Sequence, residues 1–199
     1  KTNGPNNFAF CLAFWHWKSP MKLRWTKYTL NFKQPAGTSR GVLKTKDSYF
    51  LEIRDGEQWG LGECGILRGL SADDRPDYED KLEALCQELK SLEQIEQTIG
   101  ELDEWPSIQA GLEMALLDFK SENHILFPSD FTDGYERQPI NGLIWMGKLD
   151  FMLEQMKQRI EQGFLVIKMK IGAIGIEEEL SLLEKFRSEF GPHELQLRV

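Results

Sequence analysis

The hydrophobic rhythm of the chain changes partway along. Over Leu23 to Phe32, Gly41 to Arg54 and Gln58 to Cys64, apolar and polar residues alternate in short runs, predicting three strands with turns signalled by Pro35-Ala36-Gly37 and Asp55-Gly56. Three strands in succession suggest an antiparallel meander. The period then lengthens. Leu82, Leu85, Leu89 and Leu92 recur within Asp77 to about Ile95, and Ile108, Leu112, Ala115, Leu116 and Phe119 recur within Pro106 to Lys120, as one face of a helix requires. Strands followed by helices make an α+β unit, which the pattern places at residues 21–135.

From residue 136 strands and helices alternate. Pro139 to Met146 reads as a strand, and Asp150 is placed to cap a helix that turns Phe151, Leu153, Met156 and Ile160 inward and ends at Gly163. Phe164 to Gly172 is a second strand. A helix from about Ile176 follows, with Leu180, Leu183, Phe186 and Phe190 inward and Gly191-Pro192 closing it, and Leu195 to Val199 opens a third strand. Strands joined through helices of this length must cross over and pair in parallel, as in a doubly wound sheet or a barrel. In both, chemistry gathers where strands end.

The second of these strands carries the candidate chemistry. Residues two apart in a strand point the same way, so Lys168 and Lys170 share a face with Val166, while Ile167, Met169 and Ile171 take the other. If the lysine face lines a cleft, repulsion between the ammonium groups and their desolvation both favour losing a proton, which makes a usable base. The structural alternative is a half-exposed strand whose lysines stand in water.

Composition narrows the class. With 24 basic and 32 acidic residues the net charge is -8, which offers little attraction to nucleic acid or an anionic membrane. No apolar stretch approaches the ~20 residues that span a bilayer. Three cysteines, Cys11, Cys64 and Cys86, are odd in number and lack metal-ligand spacing, so they read as free thiols. These features fit a soluble enzyme of the cell interior, with a cytoplasmic location expected.

Several motifs resemble the enolase superfamily. Lys168-Met169-Lys170 resembles the paired-lysine motif that ends the second barrel strand of its muconate-lactonizing subgroup, Ala115-Leu116-Leu117-Asp118 the last capping-domain helix, and Gly60-Leu61-Gly62-Glu63 the turn of the third capping strand. Gln34 to Gly41, together with Ile140 to Trp145, looks most like the o-succinylbenzoate synthase family of the menaquinone pathway. The likeness spans Met21 to Val199. It implies an α+β capping domain followed by the first part of a TIM-like barrel, and removal of a proton next to a carboxylate to give a magnesium-held enediolate, followed by loss of water. By that resemblance Lys170 is the base, and Lys168 tunes it and binds the developing oxyanion. A base alone cannot overcome the weak acidity of such a carbon at neutral pH, so metal and lysine must act together. A dipeptide epimerase of the same superfamily is the alternative reading.

A complete barrel takes ~250 residues, so residues 136–199 are expected to supply only its first strands and helices. The carboxylate ligands for Mg2+ and the family's other lysine are then expected beyond Val199, with no metal ligand in this chain and catalysis by these residues alone doubtful. A further alternative is a non-catalytic fragment that associates through its open barrel edge. Lys1 to Pro20, rich in Phe and Trp, is expected to be a poorly ordered segment ahead of Met21.

Other polar groups were weighed for a small-molecule carboxylate substrate. Ser39 and Arg40 lie in a glycine-bounded loop, either an exposed turn or, by resemblance, part of a loop over the substrate where Arg40 meets a carboxylate. Asn141 and Trp145 are evenly spaced on the first barrel-type strand. The tryptophan reads as core filler, and the amide of Asn141 as the sharper substrate-binding candidate. Glu177-Glu178-Glu179 reads as complementing the positive end of a helix, and Asp73, Asp74 and Asp77 as capping the helix that follows them. His16, His124 and His193 have no zinc or triad spacing and are assigned surface or packing roles.

Overall fold

A computed structural model describes residues 20–38, 41–172 and 175–199. Ser39, Arg40, Cys11, His16 and the expected upstream segment, apart from Pro20, lie outside the described residues. The described residues form two compact units: residues to Tyr28 with Ser48–Leu126, and Thr29–Asp47 with Phe127–Val199. The outer part of the first hairpin therefore groups with the alternating region, a division that the hydrophobic pattern does not show.

Three strands, β1 (Lys22–Thr38), β2 (Gly41–Asp55) and β3 (Gln58–Cys64), form one sheet in that order. β1 runs through Pro35-Ala36, where a turn was expected; as an edge strand it tolerates a residue without an N–H. β2 and β3 pair antiparallel from Tyr49↔Cys64 to Asp55↔Gln58. The two-residue connection puts Gly56 at φ 60°, a conformation glycine adopts without Cβ strain.

The expected single helix after this sheet is two, α1 (Tyr78–Glu88) and α2 (Leu92–Ile99), because the Ser91 hydroxyl accepts from the Gln94 N–H and starts a new helix. α3 (Pro106–Lys120) matches expectation and buries Ile108, Leu112, Ala115, Leu116 and Phe119 against the sheet. The approach is close enough that side chains are excluded from β3. A Cβ on Gly62 would fall 1.9 Å from the Gly111 carbonyl oxygen, and one on Gly60 would fall 2.2 Å from the Phe119 nitrogen. The Gly60-Leu61-Gly62 motif is thus a groove that admits helix backbone.

The expected local caps are corrected by the structure. Asp77 occupies the N-cap position of α1 but makes no side-chain cap bond and instead receives two bonds from Arg75. Buried Asp73 reaches α3, where its Oδ2 accepts from the Ser107 N–H at 2.8 Å and the Ser107 hydroxyl at 2.6 Å. A carboxylate there meets unpaired donors and the positive end of the helix. Asp74 pairs with Arg68 at 2.7 Å and accepts from the Gly69 N–H, and these bonds hold its carboxyl below the usual range. Asp118 accepts from the Leu61 N–H at 2.8 Å and pairs with His124 at 3.1 Å, and the His124 ring lies 4.1 Å from that of Trp59. Burial pushes the thiols of Cys64 and Cys86 up to about 12, so neither is a ready nucleophile.

The second unit carries β4 (Gly142–Ile144), α4 (Leu149–Glu161), β5 (Val166–Met169), α5 (Ile176–Glu189) and β6 (Gln196–Arg198). The strands pair in parallel in the order β4-β5-β6, as the crossovers require. Ile144, Ile167 and Met169 are buried in one cluster with Met152 and Met156 of α4 and Leu182 and Phe186 of α5. Two inward faces differ from expectation. Phe151 is 40% exposed and Leu180 45%, because the helix phases that bury 152 with 156 and 182 with 186 turn their neighbours outward. Asp150 sits in the first turn of α4 with Lys148 as N-cap, so it is not the cap.

Candidate active site

β5 ends at Met169, shorter than the expected strand to Gly172; the burial of Ile167 and Met169 turns Lys168 to the opposite side, exposed, and half-buried Lys170 directly follows the strand. Both lie at its carboxyl end, where a parallel sheet collects chemistry. Across the ladder Lys168 is level with Leu143 of β4 and Arg198 of β6, so Arg198 brings a third cation to this region. The Lys170 N–H donates to the Ile144 carbonyl at 3.4 Å, and the Lys170 Nζ stands 3.7 Å from the centre of the Trp145 ring. An ammonium over an indole face is attracted by the ring quadrupole.

The support for this strand end comes from α4. The Gln155 amide braces Trp145 twice, its Oε1 accepting from the Trp145 N–H and its Nε2 donating to the Trp145 carbonyl, both at 2.9 Å. Arg159, one helical turn later, donates from Nε to the Leu143 carbonyl at 3.2 Å. Four residues of helix rise about 6 Å and two residues of strand about 6.6 Å, so the i, i+4 pair matches alternate groups along β4. Those groups face away from β5 and would otherwise be an unpaired edge. On the other side, the Glu179 carboxylate, 3% exposed, accepts from the Gly172 N–H at 2.5 Å and ties the chain leaving β5 to α5. Glu179 thus has a specific partner besides its place in a first helical turn.

Trp145 also lines a cavity of about 850 Å³ with Phe32, Pro35, Ala36, Met146, Gly147, Lys148, Phe151 and Gln155. Its walls are mainly apolar with few polar groups, the usual make-up of a small-molecule site. Asn141 is half-buried and directly precedes β4.

Sequence reasoning assigned Trp145 to core filling, whereas it lies outside the apolar cluster of the second unit and faces Lys170. It missed Gln155, Arg159 and Arg198. The i, i+4 spacing of Gln155 and Arg159 on α4 was the available signal. Among the described residues no group of three or more His, Cys, Asp or Glu side chains could hold a metal ion, and no helix is long and apolar enough to cross a membrane.

Comparison with known proteins agrees with this architecture. Residues 21–119 match the MenC N-terminal domain family. An o-succinylbenzoate synthase of Desulfotalea psychrophila is 36% identical over 211 residues, covering 91% of this chain and 57% of that protein. The crystal structure of MenC from the same organism superposes with a TM-score of 0.72 at 29% identity, covering 91% of this chain and 56% of the other. The o-succinylbenzoate synthase of Thermosynechococcus elongatus, solved with Mg in its active site, gives a TM-score of 0.61 at 26% identity over 88% of this chain and 50% of the other. A dipeptide epimerase of Enterococcus faecalis, at 19% identity and a TM-score of 0.66 over 90% of this chain and 52% of its own, shares the fold alone. The chain spans about half the length of the curated relatives it matches. Residues 21–119 thus match the MenC N-terminal domain family, and the chain as a whole is similar to the N-terminal part of o-succinylbenzoate synthases, with the fold of enolase-superfamily structures.

Proposed function

We propose that this chain contributes the lysine side of an o-succinylbenzoate synthase active site, in which a proton is removed next to a carboxylate and water is then lost. The observation that carries the reading is the position of exposed Lys168 near the carboxyl end of β5 and of half-buried Lys170 directly after it, in a chain nine-tenths of which is similar to such an enzyme. Lys170, half-buried and held over Trp145, is the base. Lys168, exposed and level with Arg198, attracts the substrate carboxylate and offsets charge developing on its oxygens. Asn141, and Ser39 with Arg40, are the proposed substrate-binding residues.

Mg2+ is the expected cofactor, because a similar synthase carries it in its active site. The described residues do not fit a magnesium site, since they gather no cluster of carboxylates, so no step is routed through a metal here. A small carboxylate, with no nucleic acid or membrane partner, is the proposed ligand class, and the cytoplasm is the proposed compartment. The dipeptide-epimerase alternative rests on shared fold alone. Association through an open sheet edge would have to use β6, because side chains of α4 already occupy the edge of β4.

Formation of o-succinylbenzoate by a protein that contains this chain, with Mg2+ supplied, tests the reading. Lys170→Ala is expected to abolish turnover and leave product binding largely intact, whereas retained turnover removes Lys170 from its role. Lys168→Ala is expected to be severe as well. A change confined to substrate binding would make Lys168 an electrostatic anchor only.

A further inference from the structure

We propose that Trp145 is a positioning residue for Lys170: its indole face, in place of a carboxylate, holds the side-chain nitrogen at the strand end. The inference rests on the reading of Lys170 as the base. A carboxylate at this place would hold the amine by a strong, directional ion pair, whereas a π face holds it by a weaker attraction with little directional demand.

Three observations converge. The first is distance, since the Lys170 Nζ at 3.7 Å from the ring centre is well inside the ~6 Å range of such contacts. The second concerns the indole N–H. A buried tryptophan usually finds a partner for this donor, yet Nε1 of Trp145 is buried and has none among the described residues. Meanwhile both backbone groups of Trp145 are fixed by Gln155. The residue is therefore held by its main chain and placed for its ring face. The third is rigidity: the bond from the Lys170 N–H to the Ile144 carbonyl ties the lysine backbone to the residue preceding the tryptophan, so ring and amine belong to one braced strand pair. Core filling does not explain the placement, because Trp145 is absent from the cluster that buries Ile144, Ile167 and Met169.

The test is competitive acetylation of the folded protein with trace acetic anhydride, read by peptide mass spectrometry as labelling of Lys170 relative to Lys168. It needs no turnover. Trp145→Leu is expected to raise the ratio about two- to fivefold, the factor that corresponds to losing a contact of ~0.5–1 kcal/mol, and Trp145→Phe is expected to restore most of the protection. An unchanged ratio in a Trp145→Leu protein with native circular dichroism overturns the proposal. Should Trp145→Leu not fold, Lys170→Met is read by the emission of Trp145, taken as the difference from the corresponding Trp145→Phe proteins; a shifted emission supports the contact and an unchanged one overturns it. In a protein that turns over, Trp145→Leu is expected to lower kcat by more than it moves KM, with Trp145→Phe intermediate, and an equal or purely KM effect contradicts the positioning role. The two readings fail separately. Altered labelling with turnover retained in Lys170→Ala sinks the base and keeps the contact, while unaltered labelling sinks the contact whatever the kinetics.

Discussion

The two units bind buried backbone groups alike but differ in what they set at the end of a strand, and that difference separates structure from chemistry. In the first unit two buried carboxylates serve backbone, Asp73 at the start of α3 and Asp118 at the Leu61 N–H of β3, as Glu179 does for the Gly172 N–H in the second. In the second unit one side of the sheet is packed on α4 and α5, while the other carries exposed Lys168 and, directly after the strand, half-buried Lys170 over the Trp145 ring. Paired groups specify a fold. A cation exposed at a strand end is available to a ligand.

The sharpest way to break the first unit is to widen the helix–sheet approach. Gly62→Val is expected to cost about 3 kcal/mol or more, the upper range for overpacking, because even a Cβ would collide with the Gly111 carbonyl and neither backbone can yield cheaply. Denaturant unfolding followed by circular dichroism measures it, and a loss below about 1 kcal/mol would show that α3 sits less tightly than described. Asp73→Ala is expected to cost about 1–2 kcal/mol by stranding the Ser107 N–H, while the Ser107 hydroxyl keeps Tyr78, with a loss of protection in amide exchange concentrated at the first turn of α3.

The same intervention in the second unit should remain local. Gln155→Met is expected to cost about 1–2 kcal/mol by unpairing both backbone groups of Trp145, and the exchange rate of the Trp145 amide should rise while those of β2 and β3 stay unchanged. Spread of the effect into the first unit would contradict the division drawn here. The smallest effect expected is on acid stability. Hydrogen bonds from Arg24 and Arg54 lower the carboxyl pKa of Glu52, those from Arg68 and Gly69 lower that of Asp74, and those from Tyr49 and Lys27 lower that of Glu79. Lowered carboxylates contribute stability that is present above the ordinary range near pH 4 and is lost as pH falls through their folded-state values. These groups are near solvent, so the loss should be modest and should shrink with added salt, as thermal melts between pH 5 and pH 2 would show.

Much of this was legible in the sequence, and the parts that were not have physical reasons. Period-two and period-3.6 patterns located the strands and most of the helices, because both are local properties of the chain. The break between α1 and α2 was hidden by a leucine pattern that runs across Ser91 without a gap. Asp73 was assigned to the nearest helix, yet its partner Ser107 lies across the fold. Sequence proximity says little about which helix end a carboxylate meets once the chain has folded back. Trp145 was misjudged for a related reason: alternation gives its side of the strand but not what stands over its ring, and Lys170 arrives from a different strand. Gln155 and Arg159 look like ordinary surface residues of α4 until the rise of helix and strand is compared.

We propose above all that the paired lysines at the carboxyl end of β5 are an acid–base site with Lys170 as its base. The most direct test is turnover to o-succinylbenzoate, with Mg2+ present, in a protein that contains this chain and in its Lys170→Ala variant. The account predicts that turnover disappears while product binding persists. Turnover that survives the substitution would contradict it.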